Sequence, residues 1–154
     1  MSITTEDIKK LRDKTGISIM QCKKALEEAG GDAEKAIELL KKGGAAIAAK
    51  KASRDLGAGT VAAYIHNGGA VGAMCELLCE TDFVARNEEF QKVAYELAMQ
   101  TATLDDDTVN GGVEVFLEQP YIKDPSKTIE DLVQEATQKF GERVEIGRFT
   151  RFAI

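Results

Sequence analysis

The sequence predicts an α+β chain: three short helices, then a three-stranded antiparallel sheet covered by helices. Three observations predict it. Residues 1–42 hold three apolar-periodic runs, each opened by a capping residue and closed by glycine. Two alternating runs, 60–65 and 71–79, flank Asn67-Gly68-Gly69, a strong hairpin-turn signal. A last apolar run, 144–154, follows two further helical patterns and returns to complete the sheet.

The first helix is capped by Thr4 or Thr5, carries Ile8 and Leu11 on one face, and ends at Thr15-Gly16. Ser18 caps the second, in which Ile19, Cys22, Leu26 and Ala29 form the inner stripe and Gly30-Gly31 is the stop. Asp32 caps the third, with Ala33, Ala36, Ile37 and Leu40 facing inward and Gly43-Gly44 as its end. Met20 lies about 100° round the helix from Ile19, so it is partly exposed. It serves either as peripheral packing or as a soft contact for a partner helix, a use that suits methionine. Residues 45–52 favour helix, and the two glycines within 54–59 read as a linker. The expected division is a three-helix domain over 1–42, a helical linker over 43–59 and an α+β core over 60–154.

Within the core, Val61, Ala63 and Ile65 share one face of the first strand. Val71, Ala73, Cys75, Leu77 and Cys79 take the core side of the second; Met74, Glu76, Leu78 and Glu80 take the other. Asn87 caps a helix over 87–102, with Glu88 and Glu89 suiting its positive end and Phe90, Val93, Ala94, Leu97 and Ala98 on one face. Asp105-Asp106-Asp107 lacks the alternating ligands and the glycine of a calcium loop and reads as a solvated turn. Residues 113–119 allow one or two helical turns, and 120–125, bounded by prolines, an extended connector. Ser126 or Thr128 caps a helix bearing Ile129, Leu132, Val133, Ala136 and Phe140, which Gly141 ends. In the last strand Val144 and Ile146 share a phase that the later aromatics do not keep, so a bulge is expected near Gly147.

Composition narrows the function. The 154 residues carry a net charge of −6, distributed unevenly. Residues 1–56 hold 12 Lys/Arg against 9 Asp/Glu, whereas residues 57–154 hold 8 against 17. The larger part therefore repels nucleic-acid phosphates. No apolar run reaches membrane-spanning length, and the first residues lack a signal-peptide pattern. Three sparse cysteines, Cys22, Cys75 and Cys79, indicate free thiols in a reducing, cytoplasmic compartment. On one strand face Cys75 and Cys79 stand roughly 13 Å apart, too far for a disulfide or a shared metal. His66, the single histidine, sits in the hairpin turn with no second histidine for a metal or catalytic pair. No phosphate-binding loop, nucleophile elbow or dinucleotide fingerprint is present, so neither an enzyme nor a cofactor is expected.

The stretch that stands out is 81–90. Phe83 is a bulky apolar residue in the connection between strand and helix, with Asp82 and Arg86 around it. Either it folds back into the core, or it is displayed for another protein, since aromatic anchors dominate interface energetics.

Residues Leu11-Arg12-Asp13-Lys14-Thr15-Gly16, Met20-Gln21-Cys22-Lys23-Lys24-Ala25-Leu26, Gly31-Asp32 and Ala36-Ile37 resemble the N-terminal domain of the bacterial elongation factor Ts family. Thr81-Asp82-Phe83-Val84-Ala85-Arg86 resembles that family's signature, and Phe140-Gly141-Glu142 with Arg148-Phe149 and Arg151-Phe152 fits its tail. The resemblance implies a ubiquitin-associated-like fold for 1–42. It also implies a guanine-nucleotide exchange factor, itself no enzyme, whose partner is the GTPase elongation factor Tu. In that reading Thr81, Asp82, Phe83 and Val84 push into the GTPase and dislodge its magnesium ion. Phe140 and Gly141 press near the phosphate-binding loop, and Arg12, Met20 and Lys23 hold the GTPase from its other side. Two departures stand out: Ile17-Ser18-Ile19 replaces a stretch usually rich in glycine, alanine and methionine, and one sheet-and-helix unit is found where longer members carry two. A homodimer, with the second copy supplying the missing half, is the expectation that follows. The alternative is a ubiquitin-associated-like adaptor or nascent-chain binding module without exchange activity, which would have no use for residues 81–84.

Overall fold

The computed structural model describes residues 2–154. Its elements run α1 (Thr5–Thr15), α2 (Ile19–Glu28), α3 (Ala33–Lys51), β1 (Ala58–His66), β2 (Val71–Cys79), α4 (Asp82–Ala85), α5 (Glu88–Ala102), α6 (Asp106–Asn110), α7 (Gly112–Glu118), β3 (Pro120–Tyr121), β4 (Asp124–Thr128), α8 (Ile129–Phe140) and β5 (Glu145–Ala153). The class is α+β. The main sheet has the order β1-β2-β5, antiparallel throughout.

Local chemistry sets most helix starts. Thr4 caps α1 in a reciprocal box with Asp7, Ser18 accepts the Gln21 N–H, and Asp32 accepts those of Glu34 and Lys35. The three helices enclose a small core of Leu11, Ile17, Cys22, Leu26, Ala36 and Leu40. Ile19 is not part of the inner stripe. It is 58% exposed, and Ile17, on the other side of the Ser18 cap, fills the core instead. Ala33 also faces solvent, because the first helical position lies beyond the packed face.

Gly43-Gly44 does not end α3, which continues to Lys51. Gly44 is buried against α8: a Cβ there would lie 3.2 Å from Gln138 Oε1 and 3.6 Å from the Gln134 carbonyl. The glycines are a point of close helix approach, and that packing outweighs their low helix propensity of roughly 1 kcal/mol each. The Lys41–Asp131 ion pair, 3.4 Å long, joins the same two helices.

In the main core, α5 covers the inner face of β1 and β2. Cys75, Leu77, Phe90, Leu97, Phe116, Ile129 and Ile146 are buried together. Phe116 of α7 packs on Phe149 at 4.9 Å between ring centroids. Val61, Ala63 and Ile65 fall on the opposite, uncovered face. The bulge expected near Gly147 is present. The register shifts between Cys75–Phe149 and Leu77–Ile146, and Glu76 accepts the Arg148 N–H at 2.8 Å.

Two loop readings are corrected. Asp105 is an N-cap, accepting the Thr108 N–H, and opens the short helix α6; the acidic run is not a bare turn. Residues 120–125 are not a plain connector, because β3 and β4 pair as a hairpin. That hairpin is held from α5: Gln100 donates to the Pro120 carbonyl and accepts the Ile122 N–H. Thr128, not Ser126, caps α8.

Candidate functional site

β2 runs out at Cys79, and Thr81, still extended, caps the single turn α4 by accepting the Val84 N–H. Successive residues of a helix step by about 100°, so one turn cannot bury all its side chains. Here Val84 and Ala85 take the core side, leaving Asp82 and Phe83 outward. Phe83 is 88% exposed. The core position is held by Phe90, which has no exposed surface. Asn87 starts α5 by accepting the Glu89 N–H at 2.8 Å, so Phe83 stands between two capped turns.

At the end of α8, Gly141 adopts φ +68°, the left-handed conformation that stops a helix at little cost for glycine. Its carbonyl accepts from Lys51 Nζ at 2.6 Å. Phe140 is half-buried, its ring edge-on to Phe90 at 5.6 Å, so it splits its area between core and surface. The next residue reaches α4. Glu142 Oε1 accepts the Glu80 and Thr81 N–H groups at 3.2 and 3.0 Å, and Oε2 accepts the Thr81 hydroxyl at 2.7 Å. Residues 81–83 and 140–142 are thereby joined, although about sixty positions separate them in the chain.

Arg12, Met20 and Lys23 lie on α1 and α2 and are all exposed, Met20 by 81%. Lys23 pairs loosely with Glu27 at 3.8 Å. The corner between the two helices adjoins the end of α8: a Cβ on Gly16 would lie 3.8 Å from Lys139 Nζ, and that ammonium pairs with Glu89 of α5 at 3.2 Å. Two features escaped sequence reasoning. Ile19 extends the exposed apolar surface of Met20; the signal was the Ser18 cap, which leaves the first helical residue beyond the packed face. Glu142 was noted as part of a motif, but no local pattern announces a hydrogen bond to residue 81.

The cysteine thiols are not activated. Burial pushes the thiols of Cys22, Cys75 and Cys79 up, Cys75 to about 12, so they stay neutral. Hydrogen bonds from Lys139 and then Lys92 hold the Glu89 carboxyl below its usual range. Among the described residues no group of three or more His, Cys, Asp or Glu side chains is placed to hold a metal ion. Nor is any helix among them long and apolar enough to cross a membrane. What the arrangement offers is a displayed aromatic ring on a braced turn.

Comparison with known proteins adds the rest. The family model described as Elongation factor TS matches residues 80–154. A protein named Elongation factor Ts from Thermotoga petrophila is 40% identical over 193 residues, covering 100% of this chain and 97% of its own length. Its namesake from Thermodesulfovibrio yellowstonii is 41% identical over 194 residues with the same coverage, and that from Herpetosiphon aurantiacus 38% over 195. The alignment of 193 positions exceeds the 154 residues here by 39, so the Thermotoga relative has positions without a counterpart in this chain.

Proposed function

The chain belongs to the elongation factor Ts family, and from that premise we propose that it is a guanine-nucleotide exchange factor for the GTPase elongation factor Tu. It binds the GDP-loaded GTPase in the cytoplasm, displaces the magnesium ion and lets GDP leave so that GTP can enter. The observation that carries this reading is the exposure of Phe83 on a turn whose neighbouring side chains are buried. An aromatic ring in water contributes nothing to its own fold, but desolvated in a partner's pocket it becomes an anchor.

Phe83 wedges between two helices of the GTPase, and Asp82 competes for hydrogen-bond donors near the ion. Thr81 and Val84 fix the turn, one as cap and one as buried foot. Phe140 and Gly141 press near the phosphate-binding loop. Arg12, Met20 and Lys23 hold the GTPase from the three-helix domain over 1–42. An exchange factor accelerates release only by binding the nucleotide-free state better than the loaded one. A thousandfold acceleration requires about 4 kcal/mol of differential binding. One seated aromatic with supporting contacts supplies that range. No bond is made or broken on the factor itself, so it acts without being an enzyme.

The core over 60–154 also supports a homodimer. Val61, Ile65, Met74 and Phe152 are exposed on the uncovered sheet face, where Ala63 pairs with Met74 and Gly72 with Phe152 across the strands. A second copy laid on this face would bury those side chains and supply a second sheet-and-helix unit.

The deciding experiment is release of labelled GDP from elongation factor Tu with the wild type and with Phe83→Ala. The wild type accelerates release, and the variant loses most of the effect while staying folded. Equal acceleration by both refutes the role of Phe83. A wild type that binds without accelerating release favours the adaptor reading.

A further inference from the structure

We propose that Glu142 is a positioning residue for exchange: its carboxylate sets the turn that displays Phe83 and locks it to the Phe140–Gly141 corner. This rests on the exchange-factor reading above.

The four-residue helix α4 is too short to be stable by itself, because helix nucleation is unfavourable until several turns are formed. Val84 and Ala85 anchor one side of it; the other side needs its cap. The Thr81 hydroxyl has two tasks. It accepts the Val84 N–H at 3.4 Å, and its own hydrogen goes to Glu142 Oε2 at 2.7 Å. Glu142 therefore orients the hydroxyl so that a lone pair faces Val84. Its other oxygen takes the N–H groups of Glu80 and Thr81, the last two residues before the turn.

The bracing is reciprocal. Glu80 Oε1 accepts the Arg143 N–H at 2.7 Å, and Arg54 approaches Glu80 Oε2 at 3.7 Å. Each of two connections, β2 to α4 and α8 to β5, thus gives backbone N–H groups to a carboxylate of the other. Charge-assisted hydrogen bonds of this kind are short and directional. Gly141, in its left-handed conformation, turns the chain so that Glu142 follows immediately on Phe140 and Gly141. Phe83 and Phe140 are consequently presented by one braced unit, and the ordering entropy of the turn is already met before the GTPase arrives.

Three measurements test this. The chain has no tryptophan, so Phe83→Trp places a single indole at the tip. In the free protein, adding Glu142→Ala lowers the anisotropy of that indole; an unchanged anisotropy overturns the proposal. In GDP release, Glu142→Ala lowers exchange efficiency about tenfold if the turn then holds the displayed conformer a tenth of the time. Glu142→Gln, which keeps one acceptor oxygen, recovers part of the loss. In the Phe83→Ala background, Glu142→Ala costs much less than in the wild type, because only the Phe140–Gly141 corner is left to position. The same tenfold loss on both backgrounds, with thermal midpoints matched, overturns positioning while leaving the exchange reading intact. No effect of Phe83→Ala itself brings down both.

Discussion

Phe83 and Phe90 are the same residue type seven positions apart, and the same truncation separates folding from display. Phe90 is wholly buried, with Phe140 edge-on at 5.6 Å. Phe90→Ala removes its transfer energy and leaves a cavity, a loss of about 3–5 kcal/mol. The lost aromatic pair, worth roughly 0.5–1.5 kcal/mol, moves the value toward the upper end. For a chain of this length each kcal/mol lowers the melting midpoint by about 2–4 °C, so the midpoint falls by roughly 6–20 °C. Phe83, 88% exposed, has almost no burial to lose. Phe83→Ala therefore shifts stability by no more than about 0.5 kcal/mol, under roughly 2 °C. In GDP release the order reverses. Loss of an aromatic anchor worth about 2 kcal/mol lowers exchange efficiency about 30-fold. Circular dichroism melts of both variants, beside GDP release for Phe83→Ala, give the comparison. A Phe83→Ala midpoint as low as that of Phe90→Ala would show that the ring supports its own fold, and the display argument fails.

Three further outcomes are expected. A thiol-specific chromogenic reagent at pH 8 reacts with none of the three cysteines in the native protein and with all three in denaturant; rapid native labelling contradicts the buried-thiol assignment. Because burial raises the folded Cys75 value to about 12, its neutral thiol favours the fold at and below the unfolded value near 8.5, and that contribution disappears as pH rises toward 12. Sedimentation at micromolar concentration shows a dimer that Met74→Asp dissociates, since a carboxylate on the apolar sheet face must be desolvated to remain there. A wild type that stays monomeric throughout that range removes the dimer.

Features decided within a few residues were readable from sequence. Caps at Ser18, Asp32 and Asn87, the Gly141 stop and the hairpin at Asn67-Gly68-Gly69 are local backbone chemistry, and each stands where its residues indicated. Alternation put Ala73, Cys75, Leu77 and Cys79 in the core because β2 is the central strand, with one face covered by α5. What was missed depends on distant partners. Gly43-Gly44 carries the sequence signal of a helix stop, yet α8 presses against it and the helix continues. The β3–β4 hairpin has no alternating pattern of its own; Gln100, some twenty residues earlier, satisfies its backbone. For Phe83 the sequence left two readings open, since periodicity does not say which side of a single turn meets the core. Burial of Val84 and Ala85 decides it.

The exposed apolar residues can then be sorted by what folding already explains. Fully folded chains leave single apolar side chains on their surfaces, so one exposed valine carries no argument. Three places here differ because the neighbouring apolar positions are satisfied without them. Ile17 fills the small core, leaving Ile19 and Met20 outside; Val84 and Ala85 seat α4, leaving Phe83 outside; and α5 covers one face of the sheet, leaving Val61, Ile65, Met74 and Phe152 on the other. Each set has an occupant in the proposed assembly: the GTPase for the first two, a second copy of the chain for the third. The first two sets are also neighbours, since the Gly16 corner adjoins Lys139, and Glu142 fastens the end of α8 to the Phe83 turn. The Met20 surface and the displayed ring therefore stand on neighbouring parts of the fold, with the end of α8 between them. In the proposed complex, one GTPase would meet both, so differential binding could act at two separated points.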